Sequence, residues 1–170
     1  MVTISRMVNI VLMGVSGSGK TRVGGELVQQ LDFTFKDGDD FHSLENRAKM
    51  KSGIPLTDED REPWLKTLAS LLRDNDKLIL ACSALKHAYR EKLRGDSRQI
   101  IFVHLVVPAD ILLNRLQSRT QHYFPPQLLD NQLQTLESAS DGEKIFNIDN
   151  SQPLETVICQ IKQIIDQAEN

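Results

Sequence analysis

Residues 9–21 read Asn9-Ile10-Val11-Leu12-Met13 and then Gly14-Val15-Ser16-Gly17-Ser18-Gly19-Lys20-Thr21. The first five are mostly apolar and indicate a buried strand, while the last eight match the phosphate-loop pattern G-x-x-x-x-G-K-[ST]. Small residues let successive backbone N–H groups turn toward an anion, and the helix expected next adds its positive end. The stretch therefore predicts a nucleotide phosphate site, in which Lys20 bridges the outer phosphates and Thr21 places its hydroxyl on Mg²⁺.

The phosphate-loop pattern has weaker interpretations. A Gly/Ser-rich turn can simply cap a helix, but a full eight-position match between a strand and a helix disfavours that explanation. Classical GTP-binding proteins also carry a guanine-reading Asn-Lys-x-Asp sequence, and the 170 residues contain no such tetrapeptide. ATP is therefore the expected nucleotide.

The composition is that of an ordinary globular protein, with 40% hydrophobic and 25% charged residues. A formal net charge of -3 argues against a protein whose main task is to neutralise a nucleic-acid backbone. The apolar runs at 9–15 and 99–107 are shorter than the roughly 18 to 20 residues needed to cross a bilayer, and residues 1–8 lack the pattern of a secretory signal. We therefore expect a cytoplasmic protein without nucleic-acid or membrane partners, and two buried, reduced cysteines, Cys82 and Cys159.

Short apolar runs alternate with longer segments of helical period, which predicts a doubly wound α/β domain over residues 1–170. Thr57, followed by three acids, is expected to begin one helix, and Pro108 and Pro153 are expected at the first positions of two others. Strands are expected near 9–13, 33–37, 77–82, 100–106 and 145–148. Helices are expected near 19–31, 44–51, 58–73, 84–94, 108–119, 126–138 and 153–168.

A second group of candidate residues follows the second expected strand, in the turn Lys36-Asp37-Gly38-Asp39-Asp40-Phe41-His42. The carboxyl ends of neighbouring parallel strands converge on one crevice, so this turn should face the phosphate loop. Asp37 is expected to support the metal, because the third strand ends in Ala81-Cys82-Ser83 without an acid. Asp39, two residues on in an extended segment, is expected to accept or orient an acceptor hydroxyl. An acidic solvated turn is the alternative, and His42 is either a substrate hydrogen-bonding group or a helix-start residue.

Beyond these two motifs, the chain resembles the gluconate kinase family of small carbohydrate kinases, itself similar to shikimate and nucleoside monophosphate kinases. The resemblance runs nearly end to end, and its most specific parts are 46–64 and Ser83-Ala84-Leu85-Lys86. The other matching segments are 13–21, 37–42, 89–90, 93–94, His122, 125–126 and 128–137.

This resemblance implies phosphoryl transfer from ATP to the 6-hydroxyl of gluconate, dependence on Mg²⁺, a nucleoside-monophosphate-kinase-like fold with a mobile lid, and commonly a homodimer. It also implies an acceptor-binding helical region at about 40–75. A sugar acid presents a carboxylate, which Arg and Lys bind best, and a row of hydroxyls. For each basic residue alone, a solvated helix face is the alternative. The implied substrate residues are Asp39, His42, Asn46, Lys49, Arg61, Ser83, Lys86, Arg90 and Gln132.

The lid is expected at about 118–126. Arg115 and Arg119 lie four positions apart on the preceding helix, so both face one side. An arginine that moves over the phosphates would stabilise the transferring group and exclude water. We expect Arg119 to act in catalysis together with Lys20 and Asp39. Arg115 is the second candidate and is expected to bind the nucleotide. Surface arginines paired with nearby acids are the alternative.

Two other functions are consistent with the phosphate loop. A kinase for another small hydroxy acid, such as shikimate, would use the same nucleotide-binding residues. A nucleotide-binding regulatory module would bind nucleotide without transfer, and it would leave the acidic turn and residues 83–86 without a use. Phosphoryl transfer to a panel of sugar acids distinguishes the three.

Overall fold

The computed structural model describes residues 7–95, 99–119 and 124–170, and its centre is a five-stranded sheet. Each strand lies within one residue of its expected bounds, so the predicted α/β fold with a parallel sheet is confirmed. The spatial order is 2-3-1-4-5, and every neighbouring pair is parallel. The strands are β1 (Asn9–Met13), β2 (Thr34–Asp37), β3 (Leu78–Ala81), β4 (Ile100–Val106) and β5 (Ile145–Asp149).

All seven expected helices are present, with two notable differences at their ends. The fourth was expected from residue 84 and begins at His87, because Ala84 has a φ of 47°, which a right-handed helix cannot contain. The sixth was expected to reach 138 and ends at Thr135, after which Glu137 N donates to Leu85 O at 2.7 Å. The helices are α1 (Lys20–Gln30), α2 (Leu44–Lys51), α3 (Asp58–Asp74), α4 (His87–Arg94), α5 (Ala109–Gln117), α6 (Pro126–Thr135) and α7 (Leu154–Glu169).

The helix starts follow from local chemistry. Thr57 and Asp60 form a capping box at α3, in which each side chain accepts from the other's backbone N–H. Pro108 and Pro153 stand one position before α5 and α7, with extended ψ values of 145° and 142°. The expectation that they occupy the first helical position is therefore wrong by one residue.

Apolar side chains of the sheet pack against helices on both faces. Along β1, Ile10 and Leu12 lie in a cluster with α1 and α7, whereas Val11 and Met13 lie in a cluster with α3 and α4. This alternation follows from the two-residue period of a strand. Cys82 is buried as expected, but the prediction of a buried Cys159 is wrong, since its position on α7 faces solvent.

The sheet brings four chain segments to its carboxyl edge: the phosphate loop after β1, a 3-10 turn (Gly38–Phe41) after β2, residues 82–86 after β3, and Asn150 after β5. Gly14 N donates to Ser83 O at 3.3 Å, which joins the first and third of these segments. A candidate active site therefore lies at this edge, as expected for parallel α/β sheets. No helix among the described residues is both long and apolar enough to cross a bilayer.

Candidate active site

The phosphate loop has a backbone that only glycine can form at three positions. Gly14, Gly17 and Gly19 have φ values of 148°, 84° and 95°. A Cβ on Gly14 would lie 2.6 Å from Ser18 Oγ, and one on Gly19 would lie 2.4 Å from Asn150 Nδ2. The loop is therefore a close-fitted backbone cradle that leads into the N-terminus of α1, which fits the binding of phosphate groups.

Side chains from distant elements hold the cradle through its carbonyl groups. Asn150 Nδ2 donates to Ser18 O at 2.6 Å, in a buried contact. Arg115 donates to Gly17 O at 3.1 Å and to Asn150 O at 2.7 Å. Arg115, expected to bind nucleotide, thus has its guanidinium on the backbone of the loop.

Gln132 lies on the other side of the loop. It was expected to bind substrate, and its Oε1 accepts from Ser16 N at 2.8 Å. Because α6 carries Gln132, this bond attaches the helix that follows the expected lid to the phosphate loop.

The ammonium group of Lys20 lies at the mouth of the cradle. Its Nζ donates to Gly14 O at 2.8 Å and to Val15 O at 3.1 Å. Burial lowers the pKa of Lys20, and the negative charge of Asp39 opposes this shift more than any other group does. Lys20 and Asp39, expected from separate motifs, are therefore close enough for their charges to interact.

Two oxygen-bearing side chains lie beside Lys20. Thr21 Oγ1 donates to Asp37 Oδ2 at 3.0 Å, and Asp37 Oδ1 accepts from Asp39 N at 3.0 Å. A hydroxyl and a carboxylate are the hard ligands that Mg²⁺ prefers, directly or through its water shell. The residues expected to hold the metal are therefore adjacent, and their chemistry fits that ion.

Asp39 reaches the cleft by a different backbone path from the one expected. It lies in the 3-10 turn after β2 and not in an extended segment, because Gly38 packs so closely that a Cβ there would be 2.6 Å from Ala81 O. Trp64 Nε1 fixes the turn by donating to Gly38 O at 2.7 Å. Surrounding protein raises the pKa of Asp39, Lys20 opposes the shift, and Asp37 adds to it. A more basic carboxylate suits a group that accepts a proton.

The region expected to bind the acceptor begins at His42. Its ring stacks on Trp64 with centroids 4.1 Å apart, and its Nδ1 lies 3.5 Å from Asn46 Nδ2. Burial, then the charges of Arg61 and Arg47, lower the pKa of His42 to about 4. The imidazole is therefore neutral near pH 7. His42 precedes Ser43, the residue that caps α2, so it is not itself the cap.

Asn46 and Lys49 connect α2 to the start of α3. Asn46 Nδ2 donates to Asp60 O at 2.8 Å, and Lys49 Nζ lies 2.9 Å from Asp60 Oδ1. Because Asp60 also belongs to the capping box with Thr57, the partner of Lys49 is fixed by the helix start.

Arg61 and Lys86 lie on either side of one tyrosine. Arg61 donates to Tyr89 Oη at 3.2 Å, and Lys86 Nζ lies 3.0 Å from Asp58 Oδ1 and 3.2 Å from Oδ2. Tyr89 Oη donates to the same Asp58 carboxylate. Both cations also lie over the Tyr89 ring, at 5.4 and 5.5 Å from its centroid. These four residues form a cluster that we call the acceptor-side cation cluster.

Arg90, expected to bind substrate, is instead a buried structural residue. Its side chain is 0% exposed and pairs with Glu143 at 2.5 Å. Its remaining donors reach Ala84 O, Leu85 O, Ser138 O and the second Glu143 oxygen, so all five N–H groups are used. The prediction that Arg90 contacts the acceptor is wrong. Arg90 holds residues 84–85, including the positive-φ Ala84, in the conformation that presents Ser83 and Lys86.

Replacing Glu143 by glutamine is expected to reduce the free energy of unfolding by about 3–5 kcal/mol at pH 7, because it leaves the Arg90 charge buried without a counterion. Burial alone would raise the pKa of Glu143, but hydrogen bonds from Arg90, Ser140 N and His87 hold it at about 2. Since this value is below the usual 4.5, the stabilisation is complete above about pH 4.5 and is lost as the pH falls toward 2.

Urea unfolding of the wild type and the Glu143→Gln variant at pH 7 and pH 3 measures this difference. It should be large at pH 7 and smaller at pH 3. Glu91→Gln, which changes a half-exposed acid of α4 that pairs with Arg94, should have little effect at either pH. A difference in unfolding free energy that does not depend on pH would contradict the assignment of Glu143 as the ionised partner of Arg90.

Arg119 follows α5 and is exposed. Its backbone N–H donates to Leu116 O at 3.3 Å, and its charge contributes to lowering the pKa of Lys20. Arg119 therefore lies within electrostatic range of the cradle. Of the lid expected at 118–126, residues 120–123 lie outside the described part of the chain.

Three residues that shape this site were not predicted from the sequence. Asn150 directly follows β5, so the rule that ligand-binding residues lie at the carboxyl ends of parallel strands would have found it. Asp58 was treated only as a helix-start acid, and Glu143 stands in a polar segment without a motif. Their partners, Lys86 and Arg90, are far away in the chain, which no local pattern indicates.

A nucleotide cradle at the end of the central strand β1, with an acidic turn after β2 at the same edge of the sheet, defines a phosphotransferase of the P-loop class. Comparison with known proteins gives the same class. The family model described as shikimate kinase matches residues 16–164.

Relatives define the family more narrowly. The gluconokinase of Gluconobacter oxydans is 43% identical, over 88% of this chain and 86% of its own length. The crystal structure of a gluconokinase from Sinorhizobium meliloti has a TM-score of 0.84 at 37% identity, covering 95% of this chain and 93% of its own. That of a sugar kinase from Janibacter has a TM-score of 0.89 at 40% identity, covering 96% of both chains. The chain belongs to the gluconokinase family.

Proposed function

We propose that this enzyme transfers the γ-phosphoryl group of ATP to the 6-hydroxyl of D-gluconate, giving 6-phosphogluconate and ADP. The observation that supports the proposal is that the Lys20 cradle, the turn with Asp39 and the segment with Lys86 follow β1, β2 and β3 at one edge of the sheet. The family assignment identifies the acceptor. The resemblance also extends the proposal to Mg²⁺ dependence and to a homodimer in the cytoplasm.

In the proposed mechanism, the chain's own residues orient the reactants and move one proton. Backbone N–H groups of 14–21 and Lys20 hold the phosphates, and the carboxylate of Asp39 accepts the proton of the 6-hydroxyl as its oxygen bonds to the γ-phosphorus. The bond between that phosphorus and the bridging oxygen breaks, and ADP leaves. Arg119 stabilises the charge on the transferring group.

Mg²⁺, held through Thr21 and Asp37, would supply neutralisation of the β- and γ-phosphate charge. In the proposed complex, neutral His42 and Asn46 would hydrogen-bond acceptor hydroxyls, and Arg61 and Lys86 would bind the carboxylate.

A kinase for shikimate is the second candidate, because the matching family model carries that description. Release of ADP from Mg-ATP, measured against gluconate, other aldonic acids, shikimate and nucleoside monophosphates, separates the candidates. The proposal expects gluconate to have the highest kcat/KM. Preference for shikimate, or nucleotide binding without transfer to any acceptor, would overturn it.

Replacing Lys20 by alanine is expected to lower kcat by about 10²–10³, because it removes a charged donor from the outer phosphates. Thr21→Ala should also impair turnover, but its defect should be partly relieved by raising the Mg²⁺ concentration. The check is steady-state kinetics over a range of Mg²⁺, with Lys66→Ala on the exposed face of α3 as the control. Near-normal turnover of folded Lys20→Ala and Thr21→Ala proteins would refute the nucleotide site.

A further inference from the structure

The acceptor-side cation cluster contains its own carboxylate. Asp58 receives a bidentate contact from Lys86, at 3.0 and 3.2 Å, and a hydrogen bond from the Tyr89 hydroxyl. Arg61 is joined to the same carboxylate through Tyr89 Oη. Two cations and a hydroxyl around one carboxylate are the arrangement that would bind a carboxylate ligand.

Asp58 is the more exposed charged partner in the Lys86–Asp58 pair. Its side chain is 65% exposed, and that of Lys86 is 32% exposed. Asp58 is not part of the capping box at the start of α3, which is formed by Thr57 and Asp60. Lys49 offers the contrast, since its carboxylate partner, Asp60, is held by that capping box.

The cluster also lies at the acceptor side of the cleft. The charge of Arg61 acts on His42, which follows the turn that carries Asp39. Lys86 belongs to the segment after β3 whose Ser83 O accepts from Gly14 N of the phosphate loop. A sugar acid whose far hydroxyl lies near Asp39 would therefore direct its carboxylate toward Arg61, Tyr89 and Lys86.

We propose that Asp58 is an internal competitor for the acceptor's carboxylate: it occupies Lys86 and Tyr89 in the free enzyme, and a sugar acid binds by displacing it. This inference rests on the proposed function and names a residue that sets acceptor affinity and charge selectivity. An anionic acceptor replaces the contacts that Asp58 gives up. A neutral polyol cannot replace these contacts, so Asp58 keeps its contacts with Lys86 and Tyr89 when such a molecule is present.

Replacing Asp58 by asparagine should lower KM for gluconate by about two- to fivefold, the range expected when an exposed ion pair is removed. The fall should be smaller at 0.5 M salt, because screening weakens exposed charges. KM or Ki for gluconamide, the neutral amide of the same acid, should not change. Glu59→Gln is the matched control, since it removes the same charge from the next, exposed position of α3.

Asp58→Ser, which also removes the charge, provides a second variant, and thermal unfolding verifies that each variant is folded. A fall in KM for gluconate in both Asp58 variants, and not in Glu59→Gln, supports the inference. An unchanged or higher KM would overturn it and make Asp58 a residue that orients Lys86. An equal fall in Glu59→Gln would overturn it in favour of a general charge effect. Failure of the wild type to phosphorylate gluconate would refute the proposed function itself. Wild-type activity is therefore measured before the variants are compared.

Discussion

Replacing Asp39 by asparagine is expected to lower kcat by about 10²–10⁴ while ATP binding stays nearly unchanged. The amide keeps the shape of the side chain and the Asp37 contact to the backbone N–H of residue 39, but it cannot take a proton from the acceptor hydroxyl. Steady-state kinetics with gluconate and a separate measurement of ATP affinity check the prediction. Asp40→Asn, the same change one position on, should retain most of its turnover.

The pH dependence of the wild type gives an independent test. The carboxyl of Asp39 has a raised pKa, mainly because the surrounding protein partly desolvates it. A group that must be ionised to act loses activity as the pH falls through its pKa, so the acid limb of kcat/KM should lie above the usual value of 3.8. An unchanged kcat with a higher acceptor KM in Asp39→Asn would make Asp39 a binding residue.

Replacing Arg119 by alanine should reduce kcat by about 10³ or more, the range in which arginines that contact a transferring phosphoryl group act. The exposed guanidinium lies within electrostatic range of Lys20, and a drier, closed site would strengthen its interaction with the transition state. The effect on ATP affinity should be much smaller, because the interaction belongs mainly to the transition state.

The lysine variant separates charge from geometry. Arg119→Lys should recover only part of kcat, since a point charge cannot replace the two-pronged guanidinium. Arg73→Ala, at an exposed arginine paired with Asp74, is the control. Equal turnover of the wild type and both Arg119 variants would exclude Arg119 from catalysis. Arg115 would be a poor substitute, because its guanidinium holds the carbonyls of Gly17 and Asn150.

Sequence patterns predicted the fold and the nucleotide side of the site well, because their determinants are local. The glycine spacing of 14–19 fixes the cradle, and the convergence of strand ends was enough to bring Asp37 to Thr21. The helical period would also have predicted that Cys159 is exposed, because it lies between Ile158 and Ile161 but off their buried stripe.

The acceptor side was predicted less well, because its basic residues have partners from distant segments. Lys86 and Arg90 are both basic residues within family motifs, yet one is half-exposed beside Asp58 and the other is buried on Glu143. Only the fold distinguishes them. The path of Asp39 was also missed, since the close approach of Gly38 to β3 depends on packing between strands.

The anchoring of the phosphate loop by Asn150 has a consequence for the order in which the protein becomes functional during synthesis. The motif that defines the site leaves the ribosome before Asn150, whose side chain, 132 positions later, holds the Ser18 carbonyl. The segment that presents Ser83 and Lys86 likewise depends on Glu143, 53 positions beyond Arg90. A nascent chain that ends before Glu143 therefore contains both signature motifs and lacks the anchors of both. Nucleotide binding should accordingly be acquired only when the last strand and the residue after it have joined the sheet.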